Sequence, residues 1–314
     1  MDLRTYFLMR YFTPAIQHGM QGLAGAIMAA QGLPAPWIAF VSFTAPYLGG
    51  CSTNLLNDYF DRNVDLQIRP WRPIPSGKLG AKQTLTFTLI LIALGFLLTI
   101  SLYNITCLLL ALLVAFSAIS YDISKRKRYI MHSVLSLISP LSIVYGYAAA
   151  SGSSLEPLPL VLIVGFMQYT ETFSLSFFTS IPDAVGDAKG GAVTASVKLG
   201  ERKVDRISFA FIIANLILGL LPFTLGYLNL SYLLIFLTTR LLLIGIRIVF
   251  IRNPSQRLAD FVRNTYAFAK MGGLIAFSIG AIQSDTGMTF ALLLCLLIIS
   301  TPLRFYTSAF KLKY

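Results

Sequence analysis

Nine consecutive residues, Asn57 to Asp65, read NDYFDRNVD. Residues three and four apart share a helix face, so the carboxylates of Asp58, Asp61 and Asp65 are expected to point the same way. Farther along, Asp183 and Asp187 repeat an i, i+4 spacing. The whole chain has only 13 acidic residues, so their concentration in two short motifs argues for chemistry rather than solvation. Two sets of hard oxygen donors suit a divalent cation. Mg²⁺ takes one or two carboxylates, several waters and the phosphate oxygens of a substrate, so the two motifs predict Mg²⁺ bound together with a diphosphate. Arg62, Arg72, Lys125 and Lys189 lie beside them with the charge to help hold such an anion.

The elements that must position these groups are apolar helices. The chain is 56% hydrophobic and 12% charged, with a mean hydropathy of +0.71, against roughly 25% charged residues in soluble domains. Stretches long enough to cross a bilayer recur at 13–31, 36–56, 83–101, 103–121, 130–150, 157–181, 207–226, 228–250, 266–283 and 287–303. The expected fold is all-α: a polytopic membrane bundle of nine to ten transmembrane helices, one integral-membrane domain over residues 1–314.

Lysine and arginine mark the connections. They crowd the second, fourth, sixth and eighth and are absent from the odd ones, which by the positive-inside rule puts both acidic motifs and the N-terminus in the cytoplasm of a multi-pass, cell-membrane protein. The net charge of +12 then follows from topology and contact with anionic lipid, and no nucleic-acid partner is needed to explain it. The polar interruption at Gln17, His18 and Gln21 marks the first segment as a retained helix rather than a signal peptide. Cys51, Cys107 and Cys295 fall in apolar segments at unrelated spacings and are expected to pack.

With these pieces in hand, the sequence resembles the UbiA superfamily of intramembrane prenyltransferases. Its first motif, NDxxDxxxD followed by a basic, proline-containing loop, is matched by NDYFDRNVD and RPWRPIPSGKL (69–79). Its DxxxD motif, followed by Gly, Thr and basic residues, is matched by IPDAVGDAKGGAVTASVKLGERK (181–203), and its Tyr and Lys four residues apart by Tyr121 and Lys125. The resemblance implies transfer of a polyprenyl group from its diphosphate to a lipophilic or aromatic acceptor, with Mg²⁺ as cofactor. Asn57, Asp58, Asp61 and Asp65 would hold one Mg²⁺ and Asp183 and Asp187 a second. Lys125, with Arg62 or Arg72, would neutralise phosphate oxygens. Tyr121 of the family motif would face the allylic cation; Tyr169 and Phe173 are further candidates only by their place in the cytoplasmic half of their helix, and a side opening toward lipid would admit the prenyl tail. Family members typically have nine spans, so 288–303 reads as an additional one.

The acceptor stays open at this point. RPIPSG resembles the branches that make archaeal ether lipids and chlorophylls, whereas IPDxxGD resembles those that prenylate aromatic quinone precursors. Ser176 stands where the hydroxybenzoate branch has a further Asp. Glu171, a carboxylate within an apolar segment, is a candidate to take a proton from the acceptor. Membrane-edge carboxylates also serve cation-coupled transporters, the alternative of another class, but no inverted repeat accompanies them here.

Overall fold

The computed structural model of the chain describes residues 11–124, 129–152, 154–189, 191 and 193–282. Lys125, the first ten residues and the expected span at 287–303 lie outside the described residues. All regular structure among the described residues is helical: α1 (Thr13–Ala30), α2 (Pro36–Ile68), α3 (Ala81–Ile100), α4 (Ile105–Ser124), α5 (Met131–Ser136), α6 (Ile138–Ser151), α7 (Leu158–Lys189), α8 (Ala195–Leu199), α9 (Glu201–Leu218), α10 (Leu221–Thr224), α11 (Leu230–Arg252) and α12 (Gln256–Ala281).

With α5 joined to α6 and α9 to α10, the described residues contain nine segments of spanning length. Six of them are apolar enough to cross a membrane on length and composition alone. Their outer faces carry exposed Leu, Ile and Phe side chains, as at Leu97, Leu112, Phe116 and Leu234, the surface that lipid covers in an integral membrane protein. The segments contact one another in chain order and the ring closes through α12 against α1. α1 also crosses to pack on α6.

Glycine makes that crossing possible. A Cβ on Gly146 would lie 1.7 Å from the Gly22 carbonyl oxygen, and one on Gly25 would lie 2.0 Å from that of Ile143, so the two backbones touch directly, as small residues allow between membrane helices. Prolines set the irregularities. A proline ring displaces the carbonyl four residues earlier; Pro140 does this at Ser136, where α5 ends and α6 resumes after Leu137. Pro46 does the same to Ser42, whose carbonyl oxygen is 1.9 Å from where a Gly22 Cβ would be.

The main difference from the expected spans is length. α2 runs on to Ile68 and α7 to Lys189, past the apolar stretches that end near 56 and 181. These extensions carry the two acidic motifs.

Candidate active site

The α2 extension presents its carboxylates inward. Asp58 and Asp65 are buried, and Arg72 explains how they tolerate it: its Nη1 donates to Asp58 Oδ1 at 3.2 Å and to Asp65 Oδ2 at 2.6 Å. Tyr11 donates to the other oxygen of Asp58 at 2.8 Å. The loop after α2 folds Arg72 back. Arg72 N–H donates to the Arg69 carbonyl, Ser76 N–H to that of Arg72, and Leu79 N–H to that of Pro73, while Gly77 turns with a φ of 74°, a conformation glycine adopts without strain. Burial pushes the Asp65 carboxyl, two turns beyond the apolar run of α2, above the ordinary carboxylate value, and Arg72 opposes that shift.

Neighbouring helices complete the pocket. Asn57 Nδ2 donates to Asp122 Oδ1 of α4 at 3.2 Å, and Asp122 is buried. Tyr121, the preceding residue, is near enough to Asp122, to Asp61 of the first motif and to Asp187 of the second to feel all three charges. Arg69 reaches Asp183 Oδ1 at 3.4 Å across the gap between α2 and α7. Asp187 is half-buried beside it on α7.

The structure joins Asn57, Asp58, Asp65 and Arg72 by polar contacts around the first motif and ties its loop to Asp183 of the second through Arg69, with Asp61, Tyr121 and Asp187 close enough to share one field. It does not bring Arg62 into contact with the carboxylates: Arg62 donates to the Tyr59 carbonyl at 2.6 Å and stacks over the Tyr59 ring at 4.3 Å. Lys189 is exposed at the end of α7. Glu171 lies about 18 Å from Asp183 along the helix and is buried against Arg240, whose Nη1 is 2.5 Å from Glu171 Oε1. Phe173 is enclosed by Phe177 and Phe211, with ring centroids at 4.3 and 4.4 Å, and Tyr169 stacks on it at 6.0 Å. Sequence reasoning missed Tyr11 and Asp122. Asp122 had a signal, a carboxylate next to the motif tyrosine at the end of an apolar helix; Tyr11 had none.

The donor set is made of hard oxygens, as Mg²⁺ prefers. Among the described residues no three carboxylate, histidine or cysteine side chains converge into a ready-made metal cluster. Mg²⁺ needs few carboxylates, because waters and substrate phosphate complete its shell. Arg72 stands between Asp58 and Asp65 as the positive charge that the buried pair requires.

Below the motif lies an apolar crevice between α2, α3, α4 and α6. It begins at Leu56 and Thr53, immediately before Asn57, and is walled by Gly49, Leu91, Gly95, Ala115 and Ala118. Its far end is closed by a hydrogen bond of 3.0 Å between Thr99 and Tyr145.

The family model described as the UbiA prenyltransferase family matches residues 20–268. The chain belongs to the UbiA prenyltransferase family. Among curated UbiA relatives, a digeranylgeranylglyceryl phosphate synthase of Sulfolobus acidocaldarius is 33% identical over 238 residues, covering 73% of this chain and 80% of the relative. A solved structure described for digeranylgeranylglyceryl phosphate synthase in membranes superposes with a TM-score of 0.70 at 22% identity, covering 90% of this chain and all of that one. A UbiA homologue of Archaeoglobus fulgidus, solved bound to GPP and Mg²⁺, superposes with a TM-score of 0.57 at 13% identity over 96% of this chain and 98% of its own. These structures share the fold.

Proposed function

We propose that this UbiA prenyltransferase transfers a polyprenyl group, of the geranylgeranyl class, from its diphosphate to the hydroxyl of a prenylated glycerol phosphate, forming an ether lipid. The observation that carries the reading is the contact between the loop after the first acidic motif and the second motif, Arg69 to Asp183 at 3.4 Å, beside an apolar crevice that begins next to Asn57. The acidic motifs suit a diphosphate and the adjoining crevice a hydrocarbon tail. The acceptor class is supported by relatives that match most of the chain and are digeranylgeranylglyceryl phosphate synthases. These relatives favour ether lipids over quinone precursors, which the sequence motifs left open.

Asn57, Asp58, Asp61 and Asp65 on one side, and Asp183 and Asp187 on the other, would hold Mg²⁺ against the donor; when bound, the metal stabilises charge on the leaving diphosphate. Arg72 and Arg69 then supply positive charge at the phosphate oxygens, and Lys125 joins them by the family motif. Leu56, Leu91 and Ala118 exclude water around the prenyl chain, which protects an allylic cation from hydrolysis. Tyr121 offers a ring face to that cation.

The deciding experiment is product formation by the purified protein in detergent. Geranylgeranyl diphosphate and Mg²⁺ are supplied with geranylgeranylglyceryl phosphate, hydroxybenzoate, homogentisate, dihydroxynaphthoate or chlorophyllide, and products are read by mass spectrometry. A prenylated glycerol phosphate is expected. Asp58→Ala, Asp61→Ala and Asp183→Ala should each lower turnover by about a hundredfold or more, the scale of losing metal-assisted charge stabilisation; wild-type turnover in any of them removes that residue from the site. Exclusive prenylation of an aromatic acceptor would overturn the ether-lipid assignment.

The basic connections support a cell-membrane orientation with the motifs facing the cytoplasm. A cysteine at Tyr103, which is 97% exposed in the connection after α3, should react with an impermeant thiol reagent from outside intact cells, and one at Lys198 only after lysis. The reverse pattern inverts the topology.

A further inference from the structure

The donor site leaves unused a second group of buried charges. Glu171 of α7, Arg240 of α11 and Lys270 of α12 are all buried. Arg240 is paired with Glu171, and the other fully buried arginine, Arg247, is paired with Asp205 at 2.8 Å. Lys270 has hydroxyl partners: its Nζ donates to Ser139 Oγ at 2.9 Å and to Thr172 Oγ1 at 3.1 Å. Glu171 and Arg240 act on it only through space, and His18 of α1 lies in its field. Two cations therefore share one anion in the interior. An uncompensated charge inside a membrane bundle is costly, and ionisable residues there usually serve function.

Lys270 also lies on a route from the acidic motifs. α7 turns Gln168, Thr172, Ser176, Asp183 and Asp187 to one side at helical spacing. Each of the inner three is engaged from a different helix: Gln168 by Gln21 at 3.1 Å, Thr172 by Ser139 at 2.8 Å and Ser176 by His132 at 2.6 Å. This polar line leads inward from Asp183 to Lys270, about 16 Å along the helix axis.

We propose that Lys270, with Ser139 and Thr172, binds the phosphate of the acceptor, an inference that rests on the ether-lipid reading above. The leaving diphosphate is held at the acidic motifs. The acceptor hydroxyl must approach the allylic carbon from the side away from it, so the acceptor's own anionic group has to be held farther inward. Among the described residues, Lys270 is the buried cation there without a carboxylate at ion-pair distance. A phosphate monoester supplies the missing negative charge and accepts from all three groups.

The test compares geranylgeranylglyceryl phosphate with its dephosphorylated alcohol as acceptors for wild type, Lys270→Met, Lys270→Arg and Thr172→Val. Each variant is first checked for a monodisperse gel-filtration peak. Wild type should prefer the phosphate. In Lys270→Met, kcat/KM for the phosphate acceptor should fall about tenfold to a hundredfold, the range of a hydrogen bond to a charged group, through KM. The alcohol and the donor KM should be unaffected, Lys270→Arg should restore part of the preference, and Thr172→Val should lose a smaller part. An equal fall with both acceptors, or an unchanged preference, assigns Lys270 to packing and overturns the inference while leaving the ether-lipid reading intact. Wild type that ignores the phosphate acceptor overturns that reading and the inference with it. Thermal stabilisation by inorganic phosphate equal to that by the acceptor, and lost in Lys270→Met, makes this a free-phosphate site and overturns the acceptor assignment.

Discussion

Arg72 holds two buried carboxylates with one guanidinium nitrogen, whereas Arg69 meets a half-exposed Asp183 at longer range. The two arginines share a loop, so they separate burial from sequence position. Removing one partner of a buried pair leaves uncompensated charge and costs about 3–5 kcal/mol; an exposed pair is worth about 0–1 kcal/mol. Arg72→Ala should therefore melt well below wild type without Mg²⁺ and regain part of the difference with it, because the cation replaces the lost charge between Asp58 and Asp65. Arg69→Ala should melt close to wild type. Equal melting of the two variants would show that the Asp58 and Asp65 carboxylates are not charged in the metal-free fold. At this scale the sequence was readable wherever residues act through local spacing: NDYFDRNVD places its acids by helical period alone. It was unreadable where the partner comes from afar, as with Tyr11 on Asp58 and Arg240 on Glu171, since no local pattern encodes a contact between distant helices.

Helices were legible from their apolar runs, and their ends were not. α2 and α7 continue beyond those runs because Arg72, Asn57 with Asp122, and Arg69 satisfy the polar faces that hydropathy reads as loop. The closeness of α1 to α6 was equally hidden, because a glycine in an apolar run has the same composition whether it faces lipid or another backbone. Substitution distinguishes the two cases. Gly146→Ala puts a Cβ 1.7 Å from the Gly22 carbonyl oxygen, which no rotamer relieves, so α1 and α6 must separate. Loss of most folded protein is expected, by at least the ~1–3 kcal/mol typical of overpacking. Gly186→Ala, in α7 with nothing within 4 Å of the added carbon, should be tolerated and gain slightly in helix propensity. Fluorescence-detected gel filtration of both variants reads the outcome, and a monodisperse Gly146→Ala at wild-type yield would refute backbone contact between the helices.

For the whole molecule, the ring of helices sets two unlike regions side by side, a charged one built on the extensions of α2 and α7 and an apolar crevice between α2, α3, α4 and α6. The span from Leu56 to Ala45 on α2 is about 16 Å, long enough for the crevice to meter the donor's tail, with Thr99 and Tyr145 as its floor. Gly95 is the position that tests this. A Cβ there meets only Ala45 O at 3.6 Å and Leu48 Cβ at 3.8 Å, ordinary contact, so the helix accepts a side chain whose bulk then fills the crevice instead of displacing a neighbour. Gly95→Trp should keep the metal-binding end intact, so that geranyl diphosphate is still consumed, while kcat/KM for geranylgeranyl diphosphate falls by about tenfold or more, the scale on which a hydrophobic pocket discriminates by size. Opening the floor with Tyr145→Ala should move the preference the other way, toward longer donors. If Gly95→Trp lowers both donors equally, the tail does not enter between α2 and α4, and the apolar wall of the reaction chamber must be sought between other helices of the ring.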